Sequence, residues 1–233
     1  SVDKETYKQE LSGLGPELGR LQRKALELKV PILIVFEGWD AAGKGDSINR
    51  LVNYLDMRGV RVVPVFKPVE AELLRPYFWR FWRDLPARGQ IGVFDRSWYY
   101  HLLEKRVLDA MTDKEWKDRM ESICRFERIL SDDGTIVIKI FVHIPKKVQK
   151  KRFTAWEKDP AFAWKVTKKD WKRHKRFKDY AEATTELLNR THAGNAPWTV
   201  ISGVDRRYRR MAVVDTVVQS LRKALDKGTP KSH

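Results

Sequence analysis

The chain has 233 residues, 42% of them hydrophobic and 33% charged, with a formal net charge of +16. That length accommodates one full α/β domain with a sizeable core, and the apolar fraction excludes a disordered chain. The single cysteine, Cys124, excludes an internal disulfide, and no apolar run reaches spanning length.

The first element is an apolar stripe, Leu11, Leu14, Leu18, Leu21, Ala25 and Leu28, at alternating spacings of three and four. Gly13, Gly15 and Pro16 interrupt it, and proline suits a first helical turn, so the helix is predicted from Pro16 to about Lys29. The stripe is too short for a coiled coil and reads as packing on the domain's own sheet.

Ile32 to Phe36 reads as a buried strand. It breaks into Gly38-Trp-Asp-Ala-Ala-Gly-Lys44, and the helical pattern Ser47 to Val52 follows. Strand, then G-x-x-x-x-G-K, then helix is a phosphate-binding loop in its proper context. Its glycines let backbone N–H groups converge on phosphate oxygens, and the helix N-terminus adds to the field. Lys44 supplies a point charge for a transferring phosphoryl group. The usual Ser/Thr that offers Mg²⁺ a hydroxyl is replaced by Gly45, so a metal must find other oxygens. Asp40, in the loop, and Asp95, ending the apolar strand Ile91 to Phe94, are the candidates. The weaker alternative for Asp95 is the N-cap of a helix opening at Ser97, and the two roles do not exclude each other.

Val60 to Val65 is strand two, after Gly59, and Pro76 to Trp82 a short aromatic helix. Thr112 and Glu115 form a capping box for a helix to Leu130, whose apolar stripe Trp116, Met120, Ile123, Cys124 makes the cysteine a buried structural thiol. Gly134 to Val142 is the strongest strand, Ala196 to Ile201 the fifth, and Arg206 to Leu225 the closing helix, with Met211, Val214, Val217, Val218, Leu221 and Leu225 inward. Strands alternating with helices mean a parallel sheet with helices on both faces, in one domain over 1–233.

Between the last two strands, Lys146 to Lys178 holds fourteen Lys or Arg against Glu157, Asp159 and Asp170, a net +11. It reads as two helices broken near Asp159-Pro160, a lid-like insertion over about 146–190. A run of like charge is ordinarily a solvated face. Beside a phosphate loop, a long polyanion is the natural partner, and charge alone leaves nucleic acid and inorganic polyphosphate both open. Trp156, Trp164 and Trp171 lie in this segment and could stack bases. The seven-residue spacing of Trp164 and Trp171 favours instead a shared inward face that packs the lid helices together.

Glu37-Gly-Trp-Asp-Ala-Ala-Gly-Lys-Gly45 and Phe94-Asp-Arg-Ser-Trp-Tyr99 resemble the polyphosphate kinase 2 family. So do Lys151-Arg-Phe153, Trp164 to Trp171, Ala196-Pro-Trp198 and Asp205-Arg-Arg-Tyr208. The resemblance implies a P-loop kinase-like three-layer sandwich of five parallel strands under a basic helical lid. It also implies Mg²⁺-dependent transfer of phosphoryl groups between inorganic polyphosphate and a nucleotide. Gly38, Trp39, Ala41, Ala42, Gly43, Lys44, Gly45 and Asp46 would then bind phosphate or nucleotide, and Asp40 and Asp95 would hold Mg²⁺ or orient the attacking oxygen. Arg96, Arg152 and Lys165 would stabilise the transferring group. Lys147, Lys151, Lys168, Lys169, Lys172 and Arg173 would track polyphosphate.

The lid sequence and the Asp205 motif look most like the AMP-accepting subgroup, whose members are often two fused copies. Tyr100, His101 and Lys105 depart from the family's usual residues. An ADP or GDP kinase using polyphosphate is the alternative. An ATP-dependent kinase fits the basic lid less well, and a nucleic-acid-binding protein less well still. With no signal peptide and no spanning segment, a cytoplasmic enzyme is the default, and Ser1 in place of Met reads as a trimmed start. No membrane partner is expected, and self-association is left open.

Overall fold

A computed structural model describes residues 2–108 and 111–226. The elements, in chain order, are α1 (Lys4–Glu27), β1 (Ile32–Gly38), α2 (Lys44–Val52), β2 (Val60–Pro64), α3 (Glu70–Leu73), α4 (Trp79–Trp82), β3 (Ile91–Asp95) and α5 (Trp98–Leu108). Then come α6 (Asp113–Asp132), β4 (Ile136–His143), α7 (Lys146–Glu157), α8 (Lys168–Lys175), α9 (Phe177–Thr191), β5 (Trp198–Ser202) and α10 (Arg206–Asp226). The five strands are all parallel, in the order β2-β3-β1-β4-β5.

Period-two alternation divides the strands between two cores. Ile32, Ile34 and Phe36 of β1 face α1, α2 and α10, together with Ile138, Ile140 and Val142 of β4. Leu33 and Val35 face the opposite layer with Val137 and Phe141, under α5, α6 and α9. This double burial explains why the central strands read as continuous apolar runs. Connections leave the adjacent strands β1 and β3 toward opposite edges of the sheet. In such sheets the crevice beyond the carboxyl ends of the strands is where ligands bind.

Several boundaries depart from the sequence reading. Helix α1 begins twelve residues before Pro16, at Lys4, and runs through both glycines and the proline. Asp3 caps it by accepting the Glu5 and Thr6 N–H groups at 2.9 Å. Gly15 is there for contact: a Cβ would lie 2.5 Å from the Tyr54 ring. Close packing and the Arg222–Glu17 pair at 2.6 Å hold a helix that local propensity alone would start later. Leu28 is exposed rather than part of the buried stripe, Val213 lies deeper than Met211, and Cys124 is half-buried. The Thr112–Glu115 capping box is present.

The basic segment forms the two expected helices, α7 and α8, with Asp159-Pro160 in the break between them, and a third helix, α9, completes the region to 191. Helix α9 packs on α5 and α6. Trp171 packs on Phe153 and His174, as a lid-packing tryptophan should. Trp164 does not. The Thr167–Asp170 capping box starts α8 at Lys168, leaving Trp164 in a 3₁₀ turn outside the helix and 75% exposed.

Within the second core lies a buried ion pair. Lys139 donates to Glu127 at 2.7 Å, to the Tyr99 hydroxyl at 3.1 Å and to the Thr191 carbonyl at 2.8 Å. Glu127 also accepts from Tyr99 at 2.6 Å and from Trp98 Nε1 at 3.2 Å. Every proton of the ammonium therefore has a partner, which is the condition for burying such a pair.

Candidate active site

The phosphate loop leaves β1 at Gly38, where φ is +133° and a Cβ would sit 2.2 Å from the Val142 carbonyl oxygen on β4. Glycine is required for the loop to leave the sheet beside its neighbour. Ala41 (φ +61°) and Gly43 (φ +101°) then curl the loop back so that α2 opens at Lys44. A Cβ on Gly43 would meet the buried Arg209 guanidinium at 2.4 Å, whereas one on Gly45 meets nothing within 4 Å. Gly43→Ala is therefore expected to abolish activity and lower stability. Gly45→Ala should keep the fold and gain roughly 0.5–1 kcal/mol of helix propensity. Thermal melts of the two variants check this, and equal damage from both would refute it.

Lys44 is buried, and its Nζ donates to the carbonyls of Gly38 (2.8 Å) and Trp39 (3.1 Å). Burial, and then the charge of Arg96, lower its pKa, while Asp40, Asp95 and Glu37 oppose them. Arg96 sits at φ +65°, immediately after Asp95, and its guanidinium donates to Asp40 at 3.0 Å while lying 4.1 Å from the Tyr100 ring centre. Arg173 reaches down from α8 and donates to Asp40 at 2.7 Å. Burial would raise the Asp40 pKa, but Arg173, Lys44 and Arg96 together hold it below the usual carboxylate range. Arg173 thus clamps the lid to the loop rather than facing outward with the lysines. Asp95 lies at the β3 terminus, and its carboxylate accepts no hydrogen bond from the described residues. Ser97, not Asp95, accepts the Tyr99 N–H at 3.3 Å.

Other candidates occupy different places. The Asp46 carboxylate pairs with Arg206 (2.8 Å), Arg209 (2.6 Å) and Arg210 of α10. Partial burial opposes its ionisation, but the three guanidiniums hold its carboxyl well below the usual range. Arg152 donates to the carbonyls of Ala41 (2.7 Å), Ala42 (3.3 Å), Gly203 (2.7 Å) and Val204 (2.9 Å). It ties the loop to the turn before α10. Trp39 Nε1 donates to His143 Nδ1 at 2.9 Å, and its ring lies 4.7 Å from Phe177. Lys147, Lys151, Lys165, Lys168, Lys169 and Lys172 are exposed on the lid. None of them forms an ion pair among the described residues.

The motif alone assigns Glu37 no role. It is buried at the end of β1, where Ser97 Oγ donates to it at 2.7 Å. That bond ties β1 to the turn that holds Arg96. Burial pushes the Glu37 carboxyl up to about 7, against the pull of Ser97, Lys44 and Arg96. The unfolded chain ionises near the ordinary value of 4.5, so between there and about 7 the native state binds the extra proton. Stability then falls as pH rises across that window, by up to about 3 kcal/mol. Glu37→Gln keeps an acceptor for Ser97, and its melting temperature should decline less between pH 5 and pH 8 than the parent's. Parallel declines would remove the assignment.

A second group has no sequence signature because it assembles from the β2–β3 connection with its short helices α3 and α4, from α5 and from α6. Lys67, Glu72, Arg75, Tyr77 and Arg80 meet His101, Glu104 and Lys105 of α5 and Arg119 of α6 around a pocket of about 460 Å³. Arg80 donates to the Phe66 carbonyl at 2.9 Å, while its Nη1 is buried without a partner. Arg119 stacks 4.2 Å from the Tyr77 ring centre. Glu104 lies 3.5 Å from Arg173, joining this pocket to the loop through the Arg173–Asp40 pair. The signal available in sequence was position alone: this segment follows the carboxyl end of a strand.

The arrangement presents backbone N–H groups, a buried ammonium and guanidiniums at one end of the sheet, with a cationic pocket on one side and a basic lid above. Such a site neutralises and aligns phosphates. Among the described residues no three His, Cys, Asp or Glu side chains cluster as a metal centre. A hard divalent cation that keeps its waters needs one or two carboxylates plus phosphate oxygens. Asp95, with its lone pairs uncommitted, and Asp40 fit that need.

The polyphosphate kinase 2 family model matches residues 1–229. A polyphosphate:AMP phosphotransferase of Pseudomonas syringae pv. tomato is 38% identical over 99% of this chain and 46% of its own length. The protein of that name from Pseudomonas aeruginosa is 37% identical, over 97% of this chain and 46% of its own. The crystal structure of polyphosphate kinase 2 from Arthrobacter aurescens superposes with a TM-score of 0.91 at 30% identity, covering 96% of this chain and 81% of that one. The chain spans about half the length of the two polyphosphate:AMP phosphotransferases. It belongs to the polyphosphate kinase 2 family.

Proposed function

We propose that this chain transfers phosphoryl groups between inorganic polyphosphate and a nucleotide, with AMP as the acceptor. The observation that carries the reading is the exposed lysine track of the lid, without ion pairs among the described residues, on helices that Arg152 and Arg173 join to the loop that holds Lys44. A nucleoside triphosphate donor needs no such track, whereas a long polyanion does.

On this reading the loop N–H groups and Lys44 take the phosphates flanking the bond that breaks. Lys44 exchanges its two carbonyl partners for phosphate oxygens. Arg96 is held at its unusual φ by the turn that Glu37 and Ser97 secure, and it adds positive charge where negative charge gathers. The acceptor occupies the pocket of Lys67, Arg75, Arg80 and Arg119, whose volume lies in the range that suits a nucleotide. The unpartnered Arg80 Nη1 supplies a donor for its phosphate. An acceptor phosphate is already largely ionised at neutral pH, so positioning matters more than a strong base. Arg173 and Arg152 keep the lid and loop in register while water is excluded. Asp95 and Asp40 would hold Mg²⁺, which when bound supplies further neutralisation of phosphate charge.

The names of the two half-matched relatives support AMP. A relative of which the chain covers 71%, at 35% identity, is named NDP-polyphosphate phosphotransferase 3, from Ruegeria pomeroyi. It keeps a diphosphate acceptor as the second reading. Comparing kcat/KM for AMP, ADP, GMP and GDP with polyphosphate as donor decides between them. AMP is expected to be preferred by at least an order of magnitude, and a diphosphate preference of that size would reverse the assignment.

A further inference from the structure

The connection between α7 and α8 carries Phe162 and Trp164 outward, 40% and 75% exposed. Large aromatics in that position lose burial energy, so something else must set their place. Trp164 is oriented by its own backbone, its Nε1 donating to the Ala161 carbonyl at 3.0 Å. The Lys165 ammonium lies between the rings, 4.6 Å from the centre of Phe162, 5.4 Å from Trp164 and 5.6 Å from Trp156.

The two nearby acids are committed elsewhere. Glu157 accepts from Trp171 Nε1 at 2.6 Å, and Asp159 accepts from the Ala161 N–H at 3.0 Å. Lys165 has no carboxylate partner among the described residues. Ring faces attract an ammonium without neutralising it. A carboxylate partner would have to be displaced by an incoming phosphate, whereas an aromatic cage would not. The cage also restricts a long side chain that is otherwise free to rotate about four bonds.

We propose that Trp156, Phe162 and Trp164 are positioning residues, which hold the Lys165 ammonium at the lid tip as an uncompensated charge for the polyphosphate donor. This rests on the reading of the chain as a polyphosphate-using phosphotransferase. The cage sets affinity for the donor and leaves the acceptor pocket untouched.

The test is a double-mutant cycle on Phe162→Ala and Lys165→Ala. One exposed cation–π contact of about 1 kcal/mol corresponds to a roughly fivefold fall in kcat/KM for polyphosphate on Phe162→Ala. The KM for nucleotide should not move, and Phe162→Trp should restore the loss. Lys165→Ala should cost at least as much and flatten the salt dependence, while Phe162→Ala keeps the parent's salt slope because no charge is removed. In the Lys165→Ala background, Phe162→Ala should add nothing. Equal effects of Phe162→Ala in both backgrounds would mean that the rings merely pack the lid, and the proposal would fall. No effect in either would also overturn it. If the parent protein neither binds polyphosphate nor uses it as a donor, both the cage proposal and the functional reading fail, and the parent control shows this separately.

Discussion

Lys44→Ala is expected to lower turnover about 10²–10³-fold, the range found when one preorganised donor to developing charge is removed from a buried site. The side chain is buried and bonded to two loop carbonyls, so its ammonium is already at the mouth of the loop before substrate arrives. Little of the fold depends on it. The neighbouring loop backbone is fixed by Gly38 against β4 and by Arg152 from behind. The variant should therefore melt within a few degrees of the parent and bind nucleotide with nearly the same KM. A folded Lys44→Ala protein that retained most of its turnover would remove the loop from the chemistry. A variant that unfolded would show that Lys44 is needed for the loop itself.

The largest expected effect on stability lies away from the site. Lys139→Met leaves Glu127 buried beside Tyr99 and Trp98 with no positive partner, and should cost about 3–5 kcal/mol. Burial already raises the Glu127 pKa against the pull of Lys139, so removing the lysine pushes the carboxyl further toward its neutral form. The loss should consequently be smaller at low pH. Replacing both partners, as Glu127→Leu with Lys139→Met, should recover most of it, because no uncompensated charge remains. Urea midpoints of the three variants measure this directly. A double variant no more stable than Lys139→Met would mean that the network's shape, not its charge, supports the core.

Much of the architecture was legible because its strands are buried on both faces. Ile32 to Phe36 and Ile136 to Val142 have no polar interruption apart from Lys139, and Gly38 and Gly134 mark their ends. The loop was legible because its chemistry needs residues close together in sequence. What sequence could not reveal depends on contacts across the chain. Pro16 lies inside α1 because Tyr54 and Glu17's partner Arg222 secure the surrounding turns. Arg152 and Arg173 read as phosphate contacts in a basic run, yet one grips loop carbonyls and the other clamps Asp40. Spacing turns Trp164 inward, but the Thr167 cap ends the helical register before reaching it. The pocket around Arg80 comes from three separate segments, and no local pattern announces it.

The most direct test of the account is phosphorus NMR of the purified protein mixed with AMP, inorganic polyphosphate and Mg²⁺, with ATP as donor in a parallel sample. The account predicts growth of ADP resonances at the expense of internal polyphosphate phosphates, with the reaction lost in Lys44→Ala and far slower with ATP as donor. Transfer from ATP with none from polyphosphate, to AMP or to any other nucleotide, would contradict it.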